Sequence, residues 1–192
     1  MSRSKKKWLF LLVLILVAGL IGALFYLKER KGGESLIRSL LIPAEEKVAI
    51  SLYFSTEDAA YLAEEKRDLP KEEEVGDQIK LVVKELIKGP ASSNLFPTLP
   101  GETVLREVYI EEGTCFLDFG QELRDNHPGG SSGEELTIFS LVNTLTQNFS
   151  QIERVQILIE GKEVETLVGH IDLSSPLREK KSLLAPPPTS TP

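Results

Sequence analysis

The run WLFLLVLILVAGLIGALFYL, from Trp8 to Leu27, limits this chain more than any other stretch. It carries no charge over twenty residues. As a helix it would be about 30 Å long, the thickness of a bilayer's hydrocarbon core. Residues 8–27 are therefore expected to be a transmembrane anchor, with Trp8 and Tyr26 near the two interfaces, where amphipathic rings settle. A basic flank, residues 1–7, precedes it with Arg3, Lys5, Lys6 and Lys7; Lys28, Arg30 and Lys31 follow, beside Glu29. This bias favours a cytoplasmic N-terminus, one pass of the cytoplasmic membrane and an extracytoplasmic C-terminal domain, periplasmic in a Gram-negative cell. The alternative is a cleaved signal peptide with its site near Ile21-Gly22-Ala23, but the apolar run exceeds the length usual in a signal's core.

The chain has 192 residues and a formal net charge of -7. Setting aside the four leading positive charges leaves -11 for the remainder. An acidic domain of that kind argues against nucleic acid or anionic lipid heads as partners. Cys115 is the sole cysteine, which excludes an intramolecular disulfide and a cysteine-cluster metal site. Within an apolar strand it reads as a small core residue.

Residues 28–46 read as a tether and 174–192, ending in APPPTSTP, as a Pro-rich disordered tail. Between them, residues 47–173 suffice for one core. Lys47 to Phe54 alternates as a half-buried strand, while Ala60 to Asp68 is open between a strand and a short helix. Val75 to Lys88 is a helix with Val75, Ile79, Val82, Val83 and Leu86 on one face, stopped by Gly89-Pro90. Val104 to Ile110 and Thr114 to Phe119 form a hairpin. Glu134 to Phe149 is a second amphipathic helix, Val155 to Ile159 a strand, and Glu160-Gly161-Lys162 a turn into a last strand near Val164 to Leu167. The expected fold is α+β: a small mixed or antiparallel sheet with two amphipathic helices on one face.

Gly129, Ser131 and Gly133 match the G-x-S-x-G spacing of a nucleophile elbow. That motif needs a buried strand running into the turn, and here Asp125-Asn126-His127-Pro128 precedes it. The structural reading is that Ser132 caps a helix, with Glu135 completing a capping box and Glu134 suiting the positive helix end. His127 and His170 are the only histidines and share no ligand-spaced cluster. Neither a catalytic set nor a cofactor or metal site emerges. Asp118 falls on the solvent side of its strand by alternation, and the Glu64-Glu65 and Glu72-Glu73-Glu74 runs read as solvated faces. Asn148-Phe149-Ser150 matches a glycosylation sequon but sits at a helix end. Leu81 points away from its helix's apolar face, and Leu136, Phe139 and Asn143 lie off the Leu141–Leu145 side of theirs. These four are the candidate protein interface.

The order of VAISLYF, LVVKELIKGP, LPGETVLREVYIEEGTCFLDFG, EELTIFSLVNTLTQ and VQILIEGK resembles the GerMN domain over about residues 47–173. The most specific pieces are Leu86 to Pro90, Cys115 to Phe119, Asn143-Thr144-Leu145 and Gly161-Lys162. The resemblance implies an exported, non-enzymatic module similar to ring-building α+β domains, working in envelope assemblies related to sporulation or germination, with no catalytic residues to carry over. The expected partner is an envelope protein or a second copy of the chain. The rival reading is a ligand-sensing or peptidoglycan-associated domain with a polar pocket in the loop from Gln121 to Gly133.

Overall fold

The computed structural model describes residues 3–29 and 46–186. It divides into two compact units, 1–45 and 46–192. In the first, helix α1, Arg3–Glu29, contains the apolar run, and its described side chains, among them Trp8, Leu12 to Val17, Leu20 and Ile21, are exposed. Among the described residues no helix is long and apolar enough to cross a membrane. The expected tether lies outside the described residues from 30 to 45, as does the end of the tail from 187 to 192.

The second unit has the order β1 (Lys47–Ser55), β2 (Leu62–Pro70), α2 (Val75–Lys88), β3 (Leu105–Glu111), β4 (Thr114–Phe119), α3 (Glu122–Asp125), α4 (Ser131–Asn148), β5 (Arg154–Ile159) and β6 (Lys162–Glu163). The class is α+β, but the strands form two sheets where one was expected. β1 and β2 make an antiparallel pair, and β3-β4-β5-β6 a mixed sheet. β3 pairs antiparallel with β4, whereas β4 and β5 run parallel. A parallel pair needs a long crossover, and α4 provides it. The segment open between strand and helix is β2. The last strand is two residues at the turn itself rather than Val164 to Leu167.

The alternation of Cys115, Leu117 and Phe119 with Phe116 and Asp118 gives β4 one face in the core, where all three of the former are fully buried. α4 packs on β1 and β5, and α2 on β1 and β3. α2 follows the helical period closely: Ile79, Val82, Val83 and Leu86 are fully buried, and only Val75 of the expected face is exposed. Gly89 ends it at φ +84°, a left-handed conformation that suits glycine, with Pro97 against the place of a Cβ.

The side of β1 away from β2 has no full strand beside it. Helix side chains satisfy its backbone instead. Asn148 Oδ1 accepts from Ser51 N at 2.9 Å, and its Nδ2 donates to Ser51 O at 2.7 Å. Thr144 Oγ1 accepts from Tyr53 N at 3.2 Å. Beyond it, Ser55 and Phe96 exchange backbone bonds. The sequon's Asn148 is thus committed to the fold. So is Thr144 of the Asn143-Thr144-Leu145 stretch.

Residues 174–186 correct the expected disordered tail. This segment forms a strap that bridges Val155 through Leu177 and Leu62 through Leu184, with a short 3-10 turn at Lys181–Leu183. Lys180 N donates to Asn143 Oδ1 at 2.8 Å, and Asn143 Nδ2 to Lys180 O at 3.3 Å. The Lys180 ammonium lies 5.2 Å from the Phe139 ring centre and pairs with Glu135.

Candidate functional site

The strap decides the fate of the expected interface. Leu136 is 5 % exposed, Phe139 8 % and Asn143 0 %. Leu81 is half-buried and packs against the core. Three of the four residues expected to form an outward patch are therefore interior. α4 is enclosed around most of its circumference, so a residue opposite Leu145 meets the strap or other parts of the domain rather than solvent.

The elbow-like segment also takes its structural form, with one correction. α4 begins at Ser131, after Gly129 and Gly130 at φ +83° and +82°, and no side chain caps it. Ser132 is exposed and is not the cap. Glu134 has the larger role: fully buried, it accepts from Leu167 N at 2.8 Å, Val168 N at 2.9 Å and His170 N at 2.7 Å. It fastens the loop after β6 to the start of α4. Arg124 of α3 donates to Leu167 O at 2.9 Å, so the Gln121–Gly133 loop is held from the same side. His127 Nδ1 accepts from Gly129 N at 2.9 Å, which leaves Nε2 to donate to Thr137 Oγ1 at 3.0 Å. That pattern uses the neutral ring, and burial, against the opposing pull of Glu134, lowers the His127 pKa. Burial also pushes the Cys115 thiol up to about 12, as fits a core residue.

Two acidic residues read as surface are buried clamps. Asp118 does lie on the β4 face away from Cys115, yet it is 5 % exposed and accepts from Gly161 N at 2.6 Å. Arg106 lies 3.5 Å from it and 3.1 Å from Glu160. Glu65 is 8 % exposed; it accepts from Ala91 N and Ser92 N at 3.0 and 2.8 Å and from both Arg67 Nε and Nη2. Burial works against its charge, but the two amides and Arg67 outweigh it and hold the carboxyl at about 2. Arg67 continues to Glu85 and to Gly89 O, and lies 5.4 Å from the Phe54 ring centre. This network holds the Gly89-Pro90 helix stop against β2.

The exposed large apolar side chains of this unit include Tyr61, Val75 and Phe96, and three at or just before β3. β3 is terminal in its sheet, so among the described residues one backbone edge has no strand beside it. Tyr109 and Ile110 on it are 54 % and 41 % exposed, and Val104, just before it, is 48 % exposed. Tyr109 stands opposite Phe116 in the register. Charges at Arg106, Glu107 and Glu111 and a register shift between Leu105 and Glu107 flank the apolar pair, features that limit indiscriminate strand pairing. Beside this edge, Lys80, Lys84, Ile87, Lys88, Gly101, Thr103 and Leu105 line a groove of about 420 Å³. The rival reading places a pocket in the Gln121–Gly133 loop; this groove lies elsewhere, between α2 and the approach to β3. Sequence pattern offered little sign of it, because the three lysines read as an ordinary polar helix face. Among the described residues no His, Cys, Asp or Glu group could hold a metal ion.

Residues 51–165 match the model of the family described as Germane: Sporulation and spore germination. The chain belongs to this family. Its fold is similar to the tandem GerMN domains of the sporulation protein GerM from Bacillus subtilis, with a TM-score of 0.58 and 26% identity over 69% of this chain and 46% of that one. The first GerMN domain of the same protein gives a TM-score of 0.57 and 25% identity, over 70% of this chain and 98% of that one. The chain thus spans about half of the tandem structure and nearly all of the single domain. No curated protein matches it. The sequence blocks that carried the resemblance map onto the clamps: Leu86–Pro90 onto Arg67, Asp118 onto Gly161, and Asn143-Thr144 onto the strap and β1.

Proposed function

We propose that this chain is a membrane-anchored, extracytoplasmic GerMN-type module that binds an envelope protein or a second copy of itself, and that it is not an enzyme. Trp8 to Leu27 would be the anchor and residues 46–186 the binding unit. Membership of a sporulation and germination family and the fold shared with GerM support an assembly role in that setting. The observation that carries the reading is the terminal strand β3, where Tyr109 and Ile110 remain exposed while the apolar side chains of α4 are covered. An aromatic beside an open strand edge can dock a partner both by apolar contact and by backbone hydrogen bonds.

A photo-crosslinking side chain at position 109 or 110 should capture a discrete partner band in intact cells. The same side chain at Glu57, exposed on the β1–β2 turn, should capture none. Tyr109→Glu with Ile110→Glu should abolish a band captured from position 104 and leave the fold's melting temperature within a few degrees. Equal capture from positions 57 and 109, or an unchanged band in the double variant, would remove β3 from the interface.

A further inference from the structure

The groove beside β3 brings three lysines of α2 together with two apolar side chains. Lys80, Lys84 and Lys88 recur every fourth residue and so share one face of α2. Their pairing differs. Lys88 pairs with Glu85, and Lys80 lies 3.6 Å from Asp77 and 3.9 Å from Glu107. Lys84 has no ion pair among the described residues, and it is the middle of the three. Across the groove, Thr103 is 7 % exposed and its hydroxyl is buried with no hydrogen-bond partner. A buried unpaired hydroxyl destabilises the fold, so folding alone does not favour a threonine there. Thr103 also lines the groove, which places its uncommitted hydroxyl beside a ligand seated there. Between these polar groups, Ile87 and Leu105 supply apolar walls. The volume, about 420 Å³, is that of a small-molecule site.

We propose that this groove binds an organic monoanion: a carboxylate or phosphodiester held between the Lys84 ammonium and the Thr103 hydroxyl, with an apolar body on Ile87 and Leu105. Lys84 is the one of the three lysines with no acid paired to it among the described residues, and a single ammonium suits a singly charged head. The domain's net negative charge disfavours a charged membrane surface, so a soluble amphiphile is the expected source and an anionic lipid is an outcome of the test. The site is independent of the β3 interface proposed above, so either can fail alone.

The test uses residues 46–192, whose buried core residues all lie between Ile50 and Leu183 and whose fold matches a single GerMN domain solved by itself. Octanoate should perturb the amide resonances of Lys84, Gly101 and Thr103, and octanol at the same concentration should not. Lys84→Gln should weaken octanoate binding about tenfold, as expected for a lost charged hydrogen bond. Thr103→Val should weaken it while melting no lower than the parent, which separates lost binding from lost folding. Sedimentation with phosphatidylglycerol vesicles, but not phosphatidylcholine vesicles, abolished by Lys84→Gln, would make a lipid the source. Octanoate binding without sedimentation would make it a soluble anion. Octanol binding as well as octanoate, or Lys84→Gln changing neither binding nor sedimentation, would overturn the proposal.

Discussion

Glu65 and Glu134 show how far a carboxylate's role depends on what surrounds it. Glu65 has a folded pKa of about 2 against an ordinary 4.5. A depressed carboxylate contributes stability that is fully present above about pH 4.5 and lost as pH falls towards 2. The shift corresponds to about 3 kcal/mol. Denaturant melts of Glu65→Gln should show lower stability at pH 7 and a flatter decline between pH 4.5 and 2 than the parent. Glu134→Ala should cost about 2–4 kcal/mol, because three backbone amides lose one acceptor. Ser132→Ala should cost under about 0.5 kcal/mol, since no cap is formed there. None of this was legible in local sequence. Glu64 and Glu65 are adjacent and alternate across β2, so one faces solvent and its neighbour meets Arg67 and the Ala91 and Ser92 amides. Which one is buried depends on a loop 26 residues away. Cys115, by contrast, was readable, because both neighbours in its alternation are explicit.

At the scale of elements, α2 and the β3–β4 hairpin were legible nearly to the residue. α2 has one wet face, so periodicity names the other, and the Glu111-Glu112-Gly113 turn marks the hairpin. α4 defeated that reasoning: its type and extent follow from the sequence, but both its sides are buried, and period alone marks only the more apolar side as core. The strap was missed for a related reason. Leu177, Leu183 and Leu184 are spaced without period beside a proline run; Leu177 and Leu184 bridge β5 and β2, and Leu183 is buried in the core. Ending the chain after Leu173 should therefore uncover Phe139 and Asn143 and lower stability by about 3 kcal/mol or more, as read by thermal melting. Leu136→Glu should unfold the domain by burying an unpaired charge, where the outward-patch reading expects a folded protein. A normal melt for both variants would mean that the strap is dispensable.

For the whole molecule, the proposed reading is an apolar N-terminal anchor and an extracytoplasmic binding unit whose docking face is the β3 edge. The family and fold were legible because each diagnostic block makes a long-range bond that few other sequences could replace. The proposed docking face was not, because an exposed tyrosine at a strand edge looks like any other surface aromatic until the sheet order is known. Cysteine labelling in intact cells tests location and face together. The native Cys115 is fully buried with its pKa raised to about 12, so it is silent towards a membrane-impermeant maleimide. A full chain carrying Tyr109→Cys should label without permeabilisation, while one carrying Phe139→Cys should label only after denaturation. Labelling of Tyr109→Cys only after cell lysis would place the domain in the cytoplasm. Equally fast labelling of Phe139→Cys in intact cells would mean that the strap does not cover α4. Either result would contradict the account.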